Sequence, residues 1–219
     1  MDKLRLRFSK TGRAVYISHL DLMRTMQRAF LRAGYALKYS EGFNPHPQIS
    51  ILLPLSVGCG SVCELMDFTL TESPDLAALP ARLTEALPEG IKALAAYAPE
   101  TKAKQLKWLE IEGRFEYDAR GLDEMARGVG EFFAREGIVI RKKTKRGEGE
   151  SDIAPAIRSF SAEAEADAVH VRAVVSAQEP TLNPELLPSA LRQLAPELAP
   201  DFAEFTRIET YEEDMSVFR

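Results

Sequence analysis

Residues 3–34 read KLRLRFSKTGRAVYISHLDLMRTMQRAFLRAG, and their pattern decides the fold. Leu4, Leu6 and Phe8 alternate with Lys3, Arg5 and Arg7. A period of two predicts a strand with one apolar and one basic face. From Ser18 the period changes. Leu22, Met23, Met26, Phe30 and Ala33 fall on one helical stripe. Ser18 suits an N-cap, and Asp21 stands three residues later, a capping box with Asp in place of the usual Glu. Gly34 supplies the stop.

Working outward, Ile49, Ile51, Leu53, Leu55 and Val57 alternate as a second strand, and residues 62–70 read as a third. Residues 74–87 read as a helix, with Ser73 as cap and Pro74 at its first position. Residues 91–97 give a fourth strand. The order β-α-β-β-α-β is that of the split βαβ, or ferredoxin-like, unit. The second half repeats it in pattern, not in identity: a strand at 108–117, a helix at 122–135, strand segments at 138–140, 157–164 and 169–175, a helix at 184–198 and a last strand at 205–211. The expected fold is therefore α+β, as tandem ferredoxin-like units at 1–100 and 106–219. The linker lies near residues 99–107. The charged stretch 141–151, RKKTKRGEGES, reads as a mobile insertion loop or hairpin tip.

The chain has 219 residues, 45% of them hydrophobic and 28% charged, enough apolar material for a real core. No run is long enough for a membrane span. The N-terminus lacks the apolar core of a signal peptide, so a cytoplasmic location is expected. The net charge of −5 argues against a general polyanion binder, but the charge is uneven. Residues 1–50 hold nine bases and three acids, a net +6, which leaves −11 for the other 169 residues.

Two of the three histidines mark candidate sites. His19 stands at the expected helix start, where an imidazole can serve as general base or as hydrogen-bond partner to a nucleic-acid hydroxyl. Asp21 lies beside it. His46 sits in YSEGFNPHP, residues 39–47, where Pro45 and Pro47 stiffen the backbone. Tyr39, Phe43 and Asn44 share that loop, and Phe43 can stack on a base or plug the core. Arg24, Arg28 and Arg32 recur every four residues and can track phosphates, as can Lys38. Lys3, Arg5 and Arg7 suggest a basic open sheet face, although no aromatic shares their parity. For each of these groups the alternative is structural: a filled first turn, a connecting turn or a solvated helix face. If they act together, Arg5, Arg7, Arg24, Arg28 and the 42–47 loop surround one concavity with His19 at its rim.

Cys59 and Cys63 have the first spacing of a CxxxCxxC cluster motif, but Met66 occupies the third position and the chain has no other cysteine. Two thiolates hold neither a cubane nor a structural zinc. No cofactor or metal is expected.

With these blocks laid out, the chain resembles the radical-SAM-linked protein family. The resemblance is carried by YISHLDLMR, RAGYALKYSEGFNPHPQIS, LPLSVGCGSVCELMDFTL and, more faintly, SDIAPAIRSF. It covers essentially the whole chain and is densest over residues 4–70. It implies a place beside a radical-SAM protein, with this chain in the stand-alone form. Tandem ferredoxin-like units also resemble, at the level of fold, the CRISPR-repeat-processing endoribonucleases. The favoured expectation is a non-catalytic RNA-binding or substrate-presenting module for a radical-SAM or RNA-processing enzyme. A metal-independent endoribonuclease is the second, with His19, Tyr16 or Tyr39, and Lys38 or Arg24 as its chemical groups. A protein-interaction scaffold without nucleic acid is the third.

Overall fold

The computed structural model describes residues 2–144 and 147–219. The protein is an α+β protein. It divides into two units, Met1–Ala103 together with Arg219, and Lys104–Phe218.

In the first unit, β1 (Leu4–Lys10) leads through a short 3₁₀ turn into α1 (His19–Arg32). Then come β2 (Ile49–Ile51), β3 (Gly60–Phe68), α2 (Leu79–Ala86) and β4 (Ile91–Tyr97). The strands order as β4-β1-β3-β2, every pair antiparallel. Alternation works as expected on the apolar side. Leu6, Phe8, Met66, Phe68 and Ile91 meet Leu22, Met26, Ala29 and Phe30 of α1 and Leu79 and Leu83 of α2 in one core. The Phe30 and Phe68 rings lie 4.9 Å apart, centroid to centroid.

The ends of α1 follow the sequence closely. The Ser18 hydroxyl accepts the Asp21 amide at 3.2 Å and donates to the Asp21 carboxylate at 2.8 Å. Asp is one methylene shorter than Glu, and here it bonds the hydroxyl of the cap. At the far end Gly34 has φ +81°, the Tyr35 amide reaches the Phe30 carbonyl and the Gly34 amide the Leu31 carbonyl. This is the Schellman arrangement that a glycine makes cheap.

Two elements differ from expectation. The second strand covers three residues, not nine. Pro54 has no N–H to give a ladder, and beyond Ile51 the Leu52 amide still bonds the Leu65 carbonyl before the chain turns away. The second helix starts at Leu79, with Pro80 in its first turn, and Ser73 does not cap it. Instead the Asp75 carboxylate accepts the amides of Ala77 and Ala78, forming a turn that delays the helix.

The second unit repeats the order with an addition. β5 (Trp108–Glu116) and α3 (Leu122–Phe133) are followed by the hairpin β6 (Val139–Thr144) and β7 (Gly147–Asp152). β8 (Ile157–Ala164), β9 (Val169–Ser176), α4 (Leu186–Leu194) and β10 (Phe202–Tyr211) complete it. The main strands order as β10-β5-β9-β8, all antiparallel. The stretch read as an insertion loop or hairpin tip is thus the β6–β7 hairpin, and two of its bases, Lys145 and Arg146, lie outside the described residues. Phe115, Val129, Phe132, Val171 and Ala173 are buried, and Phe133 packs against Phe160 at 4.4 Å between centroids. Burial pushes the Tyr117 phenol up to about 12, and its hydroxyl donates to the Leu198 carbonyl at 2.9 Å. No described helix is long and apolar enough to cross a membrane.

Candidate functional site

The expected concavity does not form, because α1 separates its parts. β1 runs from Leu4, opposite Phe68, to Lys10, opposite Ser61. The chain then turns near Val15, whose carbonyl accepts the Gly58 amide, and enters α1 at His19. α1 runs back along the sheet, and after it Leu37 bridges to Leu70 at the far end of β3. Fourteen residues of helix at 1.5 Å each put about 20 Å between the two blocks. His19 and Asp21 therefore lie at one end of the unit, and Lys38, Tyr39, Phe43, Asn44 and His46 at the other. Of the groups considered for ribonuclease chemistry, Tyr16 and Arg24 stay with His19, whereas Lys38 and Tyr39 do not.

At the first end, His19 is half-buried and Tyr16 is exposed. Asp21 is exposed and bonded to both Ser18 and Arg24, the latter at 3.1 Å. The Ser18 hydroxyl first, and the Arg24 guanidinium second, hold its carboxyl below the ordinary aspartate range. Arg24 and Arg28 are both exposed on α1. Arg32 is directed instead to the Ala86 carbonyl at the end of α2.

At the second end, the 38–48 loop is held in shape. The Gln48 amide bonds the Lys38 carbonyl at 2.7 Å, the Lys38 amide bonds the Thr69 carbonyl at 2.8 Å, and Tyr39 bridges Pro47. Ser40 closes the tip. Its Oγ accepts the His46 amide at 3.1 Å and lies 2.9 Å from His46 Nδ1, while its own amide bonds the His46 carbonyl. The Asn44 carbonyl also approaches Nδ1, at 3.5 Å. Phe43 stands at the tip with its ring wholly in solvent, and Tyr39 is 55% exposed. Beside the loop a groove of about 300 Å³ is lined by Lys3, His46, Ile49, Asp67 and Thr69.

The basic sheet face is corrected most strongly. Arg5 is 1% exposed and cannot meet a nucleic acid. Asp67 stands directly opposite it on β3 and takes the guanidinium through two contacts, 2.7 and 3.2 Å. Lys3 approaches the same carboxylate at 3.6 Å. A buried arginine needs such a partner, because an unpaired charge out of water is costly. Arg7 is half-buried. Lys10 is also buried. Its Nζ donates to the Val15 carbonyl at 2.8 Å, and burial pulls it below the usual lysine range, opposed by Glu64. Cys59 and Cys63 are buried.

Sequence reasoning missed Ser40 and Asp67. Ser40 had a faint signal, a short hydroxyl six residues before a histidine between two prolines. Asp67 had another, an acid inside the apolar run of β3.

The molecule is thus an α+β protein of two units, each built on antiparallel strands, the first carrying a hydrogen-bonded loop with exposed aromatic side chains. It belongs to the family described as "Uncharacterized protein conserved in bacteria (DUF2344)", whose model matches residues 3–184. No curated protein matches the chain. Among solved structures, a chain of a Cbf5-Nop10-Gar1 complex is similar at 13% identity and TM-score 0.49, over 96% of this chain and 50% of that one. This chain therefore spans about half the length of that relative. An unknown protein from Galdieria sulphuraria is similar at 10% identity and TM-score 0.29, over 94% of this chain and 98% of that one.

Proposed function

We propose that this protein is a non-catalytic RNA-binding module, built as two tandem ferredoxin-like units, that presents RNA to an enzyme. The resemblance of its motifs to radical-SAM-linked proteins favours a radical-SAM protein as that enzyme. One observation carries the RNA reading: Phe43 is held fully in solvent on a loop whose backbone is already ordered. Leaving such a ring unburied forgoes roughly 2 kcal/mol. Single-stranded RNA is recognised by splayed bases stacking on aromatic rings, and a pre-ordered loop loses little entropy on binding. Tyr39 offers a second ring, and Lys38 and Lys3 supply cations for phosphate.

The test is titration of a labelled single-stranded RNA at salt concentrations from about 50 to about 200 mM. Phe43→Ala is expected to weaken binding by about 1–3 kcal/mol with an unchanged salt slope. Lys38→Ala is expected to flatten the slope by about one unit. No binding at low salt, or a Phe43→Ala variant that binds like the parent, defeats the proposal.

A further inference from the structure

We infer that the outward face of α1 is a docking surface for an acidic amphipathic helix of a protein partner. The inward face is spent on the core, with Leu22, Met26, Ala29 and Phe30 buried. Directly opposite, Leu20 is 65% exposed and Leu31 76% exposed, and Arg24 and Arg28 stand exposed between them. The outward face of an amphipathic surface helix is mainly charged and polar. This one carries two aliphatic side chains eleven residues apart, about 16 Å and three turns.

Leucine has no π-face on which a base could stack, so the face suits a protein better than RNA. The charge selects the partner. Asp21 offsets part of Arg24, and the exposed arginines leave the face positive. A helix with aliphatic side chains at matching three-turn spacing, flanked by Glu or Asp, would meet both leucines and both arginines at an ordinary helix–helix distance. A second copy of this chain offers no such helix: α2 and α3 expose no large apolar residue, and α4 exposes a single leucine, Leu194, with no acidic residue on the helix. The inference does not depend on RNA binding, whose proposed loop lies at the far end of α1.

The test uses the full chain and a synthetic helix of about 18 residues, five turns, with Leu at i, i+4, i+7 and i+11 and Glu on the flanks. Two controls are a scrambled peptide of the same composition and a version with Lys for Glu. The acidic helix is expected to bind, and neither control is. Leu20→Ser with Leu31→Ser is expected to weaken binding about tenfold or more. Arg24→Glu with Arg28→Glu is expected to abolish it. All four residues are exposed, and circular dichroism checks that each variant stays folded. Equal binding of either control, or unchanged binding by the leucine variant, overturns the inference. So does a leucine variant that loses single-stranded RNA affinity, which would assign the face to RNA. Self-association of the parent chain that the leucine variant loses would also overturn it, making the face a contact between copies. If RNA titrations fail while the acidic helix binds as described, only the proposed function falls.

Discussion

The two units share an element order and a strand order, yet they treat the sheet face turned away from the helices in opposite ways. In the first, Arg5 and Asp67 are paired across β1 and β3 with side chains 1% and 9% exposed. In the second, Arg172 bonds Glu112 at 2.7 Å and Glu110 at 3.1 Å, but its side chain is 58% exposed. The contacts look alike in length. Their weights differ because water screens one and not the other. Breaking a buried pair strands a charge in a poorly solvated site, while an exposed pair mostly exchanges one solvated arrangement for another. The edges differ too. β2 keeps three residues and hands its length to the 38–48 loop, whereas β8 runs for eight and the extra chain forms a hairpin.

The largest expected effect tests that contrast directly. Asp67→Ala should lower unfolding stability by roughly 3–5 kcal/mol. Glu112→Ala in the second unit should change it by only about 0–1 kcal/mol. Chemical denaturation of both variants side by side is the measurement. Equal losses would mean that the two faces are not differently solvated.

Next in size is Gly90→Ala. Gly90 has φ +87°, and a Cβ there would fall 2.5 Å from the Thr11 carbonyl oxygen, the atom following the β1 bulge region. Backbone cannot yield as a side chain tip can, so a loss of about 1–3 kcal/mol is expected, read as a lowered thermal midpoint. A neutral outcome would show that the turn joining Thr11 to Gly90 is less fixed than their 2.8 Å bond implies.

Helix starts give a smaller contrast. α1 is capped by Ser18, while α3 begins at Gly121 with no side-chain cap. Ser18→Ala should cost about 1 kcal/mol, and Gly121→Ser should gain a few tenths. A Ser18→Ala variant with an unchanged midpoint would mean that the cap contributes nothing to the fold.

The smallest effect concerns pH. Because Ser18 and Arg24 depress the Asp21 carboxyl, its contribution is present above the ordinary aspartate range. It is lost as pH falls through the depressed value. The stability difference between the parent and Asp21→Asn should therefore shrink toward zero between neutral pH and strong acid. A difference that grows on acidification would reverse the assigned sign.

The local alternations were legible in the residues themselves. Period two placed β1, the 3.6-residue stripe placed α1, and Ser18 and Gly34 marked the ends of that helix. These succeed because strand and helix periodicities depend on neighbours within a few residues. The short β2 and the delayed α2 were harder, since a proline and an Asp-centred turn overrode apolar patterns that otherwise fitted. Of the nine bases that gave the first fifty residues their charge, Arg5 and Lys10 turned out to be buried. Sequence determined that β1 has a basic parity. Only the tertiary structure decided that this parity meets Asp67, sixty-two residues away, and leaves water. It likewise decided that His19 and His46, near in the chain, sit at opposite ends of a fourteen-residue helix. A helix fixes its own length from local bonds, but which groups it brings together or holds apart is set by what its two ends are tied to.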